Sequence, residues 1–251
     1  MFVYYMPMKP GPREPNPDNY DPDRPEAGCK HFGRPLRCFW CCYGTGIQAF
    51  SNPVSSAFYR SEDAVWVNQY VGSVASTEVK GTPLRIEVRT DLPYADRATL
   101  IVRLKHPTHF ALSLRMPWWV ESDASVRLNL TPTEGPLSSG KVRRSSWLTM
   151  ERLWEESSTV TLHMPMHLYT ESINDDTNCI ALLYGPHVMA GCTEEAREAP
   201  TLRGPKDRPH DWLTPNDSDS FSFVHSAPQP IRFMPLSRVV DEDYHVYFGT
   251  R

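Results

Sequence analysis

The sequence predicts a mainly β chain: β-sandwich domains that follow a short helical segment. Three observations carry this reading. Apolar residues recur with a period of two along most of the chain, no long stretch keeps a helical period, and 24 of 251 residues are proline, about twice the usual share of ~5%. Alternation of this kind gives a strand one buried and one solvated face. Turn-bounded strands without intervening long helices favour an antiparallel sandwich over a parallel α/β sheet.

The elements follow in order. Phe2 to Met8 is a short apolar run with strand character, and it stops at a segment holding seven prolines between Lys9 and Pro35. Proline removes backbone donors and turns the preceding residue away from helix, so KPGPREPNPDNYDPDRP is expected to be a loop. The next segment has helical spacing at Ile47, Phe50, Val54 and Phe58 and opens with a Thr45-x-x-Gln48 capping-box pattern. A helix is expected there, kinked or broken at Pro53.

From Ala64 onward the period is two. Leu84, Ile86 and Val88 alternate with Arg85, Glu87 and Arg89. The same pattern returns at Phe110, Leu112, Leu114 and Met116, at Val126, Leu128 and Leu130, and at Val160, Leu162 and Met164. CIALLYGPHVMAG is apolar on both faces, as in a central strand interrupted by Gly185-Pro186. Aromatic alternation resumes at Phe221 and Phe223 and again at Tyr244, Val246 and Phe248.

A formal net charge of −4 provides no electrostatic footprint for phosphate backbones or anionic lipid. No apolar stretch approaches the roughly 20 residues needed to cross a bilayer, and no basic leader run opens the chain. A soluble chain is expected, with neither nucleic acid nor membrane as partner.

Six cysteines are present, and Cys29, Cys38, Cys41 and Cys42 fall within fourteen residues, beside His31. Thiolates and imidazoles are preferred zinc ligands, and Cys38-x-x-Cys41 spacing lets two sulfurs reach one tetrahedral ion. Adjacent cysteines converge on a turn leading into a helix N-terminus. There the helix dipole and any bound metal favour the thiolate, a nucleophile at neutral pH. The competing reading is a set of buried, inert thiols. Cys179 and Cys192 flank an apolar strand and read as inert buried thiols or a local bridge. Trp118-Trp119 reads as core or as a sugar-stacking platform. Asn129-Leu130-Thr131 and Asn216-Asp217-Ser218 fit the glycosylation sequon. Gly44-Thr45-Gly46 lacks the following lysine of a phosphate loop.

Several strings, in order along the chain, resemble one family. FWCCYGTGIQAFS is similar to the FWCCYGTGIESFS segment of glycoside hydrolase family 127, the β-L-arabinofuranosidase-like enzymes, and YYMPM resembles a YMLPL strand of that family. LSLRMPWWVESDASVRLN, WLTMERLW, IALLYGPHVMAG and FMPLSRVVDEDYHVYF resemble successive strands of its C-terminal portion. The resemblance implies β-sandwich domains preceded by a remnant of an (α/α)6 helical barrel. It also implies a retaining glycosidase that removes terminal β-L-arabinofuranosyl residues, with an arabinose-containing glycan as substrate and Zn2+ as cofactor. Carried over, Cys41 is the nucleophile, and Cys41 and Cys42 are zinc ligands.

The family's acid/base glutamate and two further zinc ligands lie upstream of the strand with which this chain begins. The expectation is therefore a fragment inactive alone, in which Asp18, Asp21, Asp23 or Glu26 stands only as a weak substitute acid. Cys29, His31 and Cys38 have no family counterpart, Pro53 breaks the family's helix, and Glu155-Glu156 replaces its Gly-Asp turn. The expected division is residues 1–61 as the end of the barrel, 62–166 as a β-sandwich and 167–251 as a second β-rich domain. Two other classes compete: a non-catalytic carbohydrate-binding sandwich, which needs Trp118 and Trp119 exposed and coplanar, and a zinc-stabilised interaction module.

Overall fold

The computed structural model describes residues 41–49, 55–120, 127–131, 144–193, 200–226, 230–239, 242 and 244–250. The expected Phe2–Met8 strand and the proline-rich segment lie outside them. The chain is mainly β and divides into two compact units, Gln48–His167 and a second in which the residues up to Ile47 join Leu168–Arg251.

Helix occupies the segment on both sides of Pro53, since Ser55 and Ser56 are again helical, but it stops before Phe58. Helix α1 spans Cys41–Ala49, so Thr45 is a residue of the helix and not its cap. Phe58 does not extend a helical face: it opens strand β1 (Phe58–Arg60), which pairs antiparallel with β2 (Ala64–Val67). Phe58-Tyr59 followed by Ala64-Val65-Trp66-Val67 is rich in aromatic and β-branched residues that fit a pleated surface; Pro53 lies outside the described residues.

The first unit holds two sheets. One has the order β1-β2-β6-β8, with β6 at Thr108–Met116 and β8 at Ser146–Trp154. The other has the order β3-β4-β5-β9-β7, with β3 at Ser73–Val79, β4 at Thr82–Thr90, β5 at Arg97–Leu104, β7 at Arg127–Thr131 and β9 at Ser157–His163. The alternation places each strand as expected. Leu84, Ile86 and Val88 pair with Leu104, Val102 and Leu100, and the last two pair onward with Ser158 and Val160. These side chains share one face, and all are buried. In the other sheet Val65 and Val67 lie beside Leu112 and Leu114, again on a single buried face with Phe110 and Met116. Two sheets that each bury one apolar face within one unit form a sandwich core. β7 occupies the region expected around Leu128 and Leu130; its side chains, and Val126, lie outside the described residues.

One pairing departs from the antiparallel expectation: β2 and β6 run parallel. A parallel pair needs a long crossover. Here β3, β4 and β5 of the opposite sheet supply it, so the connection itself becomes the second layer. The Tyr70 hydroxyl donates to the Arg115 carbonyl at 2.8 Å, tying the start of that crossover to the end of β6. Burial pushes the Tyr70 phenol well above its ordinary range, against a smaller pull from Arg115, so it stays a donor.

In the second unit the order is β10-β11-β12-β15-β14-β13, with β10 at Leu168–Ser172, β11 at Cys179–Tyr184, β12 at His187–Cys192, β13 at Thr214–Asn216, β14 at Asp219–His225 and β15 at Ile231–Pro235. The CIALLYGPHVMAG stretch is thus two strands and not one interrupted strand. Gly185 has φ 54° and Pro186 holds φ near −65°, the combination a type II′ hairpin turn requires. Tyr184 pairs with His187 and Leu183 with Val188.

Beyond that the arms open. β16 (Tyr244–His245) pairs with β12 and β17 (Tyr247–Gly249) pairs with β11, so the end of the chain lies between the diverging arms. Phe248 is fully buried with Ile180, Leu182, Phe223 and Phe233. Its ring passes so close to β12 that a Cβ on Gly191 would stand 2.6 Å from it, which leaves room only for glycine.

Candidate functional site

Cys41 and Cys42 are the first two residues of α1. The expected turn before a helix is therefore a position within its first turn. The four leading N–H groups of a helix have no intrahelical acceptor, and with the aligned peptide dipoles they create positive potential at that end. The first turn of α1 carries no acidic side chain and its last turn no basic one, so nothing on the helix offsets this potential. Ile47, two turns on, is 48% exposed; an apolar residue so placed has no cover among the described residues.

The side chains of Cys41 and Cys42 lie outside the described residues, as do Cys29, His31, Cys38, Asp18, Asp21, Asp23 and Glu26. Among the described residues no group of three or more His, Cys, Asp or Glu side chains is arranged to hold a metal ion. Two cysteines supply half of a tetrahedral shell, so the described residues do not complete a zinc site.

Cys179 and Cys192 are half-buried thiols, with no disulfide between them. Continued register along the β11–β12 hairpin would bring the two opposite each other, but Cys179 pairs with Gly249 and Cys192 with Tyr244 instead. The inserted chain end keeps them apart. Burial pushes the Cys179 thiol up, and Asp176 and Asp175 add to the effect. Such a thiol is a poor nucleophile at neutral pH.

The tryptophan pair splits. Trp119 is 5% exposed and Trp118 49%; one belongs to the core, and the two do not form a shared platform. Exposed aromatics lie instead on the outer face of the four-stranded sheet. Tyr59 stands opposite Trp66, and Trp66 opposite Ser113. Ser113 shares a 2.8 Å hydrogen bond with Thr149, two residues along β8 from the exposed Trp147. Sequence reasoning missed this face because it arises from pairing across β1, β2, β6 and β8, whereas adjacency in sequence drew attention to Trp118-Trp119. The Asn216 side chain of one sequon accepts from the Ser218 backbone N–H at 3.1 Å and the Ser218 hydroxyl at 2.8 Å, closing the β13–β14 turn.

Residues 64–166 match the sequence model of the β-L-arabinofuranosidase GH127 middle domain. The resemblance is to glycoside hydrolase family 127. Solved structures agree at the level of fold. A GH127 β-L-arabinofuranosidase from Geobacillus stearothermophilus T6 aligns with TM-score 0.65 at 18% identity, over 87% of this chain and 39% of that one. A glycoside hydrolase aligns with TM-score 0.66 at 16% identity, over 86% of this chain and 40% of that one. A GH127 β-arabinofuranosidase aligns with TM-score 0.56 at 15% identity, over 78% of this chain and 36% of that one. The chain thus spans about two fifths of the length of these structural neighbours. No curated protein matches the sequence.

Proposed function

We propose that this chain is the nucleophile-bearing portion of a retaining glycoside hydrolase acting on terminal β-L-arabinofuranosyl groups of a glycan. The observation that carries the reading is the family 127 middle-domain match at residues 64–166, downstream of a helix whose first residues are Cys41 and Cys42. In this proposal the residues before β1 are the end of a helical barrel, the sandwich begins at β1, which pairs with β2, and not at residue 62, and 168–251 is a second β-rich domain.

The chemistry follows from the position of the pair. The helix N-terminus favours a thiolate at Cys41. Its sulfur attacks the anomeric carbon as the bond to the leaving oxygen breaks, giving a thioglycosyl intermediate. An acid protonates the leaving oxygen, and the same group as a base then takes a proton from the water that displaces the sulfur. Zinc, with Cys41 and Cys42 as ligands, is expected from the family resemblance alone. The acid/base group is not among the family-matched residues of this chain, so the isolated chain is expected to be inactive.

The assay follows aryl release from an aryl β-L-arabinofuranoside in the presence of zinc and a thiol reductant. No release above the uncatalysed background is expected. Turnover lost in Cys41→Ser would show that the chain supplies its own acid and would overturn the fragment reading. The binding-module alternative loses its stated requirement, because Trp119 is buried while Trp118 is exposed.

A further inference from the structure

The outer face of the five-stranded sheet carries four arginines at exposed positions. Residues paired across neighbouring strands point to the same side. Arg85 on β4 is paired with Arg103 on β5, two residues along stand Glu87 and Ile101, and two further along Arg89 and Thr99. Arg97 continues the row on β5, opposite His163. Arg85, Arg89, Arg97 and Arg103 are all exposed. Glu87 lies among these four arginines and takes a 2.6 Å ion pair with Arg89 Nε; Glu78, on the same face of β3 at the edge of the row, lies 3.9 Å from Arg60. His163 is already engaged by Asp96 at 2.7 Å.

This arrangement has an electrostatic cost. Like charges directly opposite each other on adjacent strands repel, and Arg85 and Arg103 are so placed on an exposed face where a threonine would pair better. Glu87 offsets part of the repulsion: its hydrogen bond with Arg89 and the nearby Arg103 and Arg85 hold its carboxyl below the ordinary range. A repeated anion lying across the strands would remove the rest. Successive same-face positions lie about 6.8 Å apart along a strand, and neighbouring strands about 4.8 Å apart, so the guanidinium groups form a cationic strip that can meet several anions of one extended chain.

We propose that this strip, Arg85, Arg89, Arg97 and Arg103, binds a carboxylate-bearing polysaccharide, a polyuronate. The planar guanidinium fork matches a carboxylate in two-point geometry. Thr99 and Thr161, whose hydroxyls lie 3.5 Å apart, offer donors and acceptors to sugar hydroxyls between the charges. Single-stranded nucleic acid is disfavoured, because β3, β4, β5, β7 and β9 contain no aromatic residue on which bases could stack. The choice of a glycan over other polyanions rests on the glycosidase reading; the charge argument does not.

The experiment measures binding of the full chain to polygalacturonate, a neutral arabinan and single- and double-stranded DNA, at low and moderate salt. Polygalacturonate is expected to bind and to weaken as salt rises. The R85Q/R103Q double variant should weaken it at least tenfold without lowering the melting temperature, E87Q should bind at least as tightly as the parent, and R232Q, in the other unit, should leave binding unchanged. Absence of polygalacturonate binding, an equal loss in R232Q, or equal or tighter binding of arabinan or DNA would overturn the proposal. Binding is read without turnover and can be repeated in Cys41→Ser, so its failure is separate from failure of the thiol assignment.

Discussion

Replacing Phe248 by alanine is expected to destabilise the second unit by about 3–5 kcal/mol, the usual cost of removing a large aromatic side chain from a packed core. Phe248 is fully buried, its ring centroid is 5.3 Å from that of Phe233 in an edge-to-face contact, and β12 closes over it at Gly191. The residue also fixes β17 between the arms of the β11–β12 hairpin, so its removal loosens a strand as well as opening a void. The neighbouring Tyr247 points the other way and is 38% exposed; Tyr247→Ala should stay within about 0.5 kcal/mol. Denaturant unfolding gives the two values, and faster amide exchange at Ile180 and Ala181 in Phe248→Ala would locate the loss. Equal effects of the two substitutions would contradict the placement of this chain end.

Trp154→Ala should cost the first unit a similar amount, about 3–5 kcal/mol. Trp154 is fully buried at the end of β8, its indole N–H donates to the Phe110 carbonyl at 3.1 Å, and its ring lies 5.5 Å from that of Phe110. Trp154→Phe separates the two contributions. It keeps an aromatic ring in the core but removes the donor, and a loss nearer 1 kcal/mol is expected for the hydrogen bond, plus that of the smaller ring. Leu153→Ala, at a 50% exposed position on the same strand, is the control and should change little. A Trp154→Ala chain as stable as the control would show that the two sheets do not share the core described.

What could be read in the sequence was what depends on single strands. The period-two runs at Leu84–Val88, Phe110–Met116 and Val160–Leu162 became β4, β6 and β9, with those residues buried, because alternation is a property of one strand against one core. Properties of pairs were not legible. The parallel β2–β6 contact, the opening of the β11–β12 hairpin around the chain end, and the arginine strip all arise from register between distant segments. A net charge of −4 for the chain averaged the strip away. The reading of Gly185-Pro186 as an interruption failed for a local reason: the same dipeptide satisfies a two-residue hairpin turn. Phe58 was assigned to a helical face by spacing, but its partner Val67 lies across a turn that spacing does not reveal.

The cysteine pair is a different case. Its helix was expected from the pattern after Cys42, and the structure moves the helix start back to Cys41. Either placement leaves both residues at the N-terminal end of the helix. Their role as nucleophile and ligands comes from the resemblance to family 127.

The most direct measurement of the central claim, a reactive thiol at Cys41, is competitive alkylation. The full chain, reduced and kept with a chelator, receives a short pulse of iodoacetamide at pH 6.5, and each modified cysteine is located by peptide fragmentation. Cys41 is expected to react at least ten times faster than Cys179, whose thiol is held protonated by burial and by Asp176 and Asp175. Cys41 reacting no faster than Cys179 and Cys192 would contradict the account.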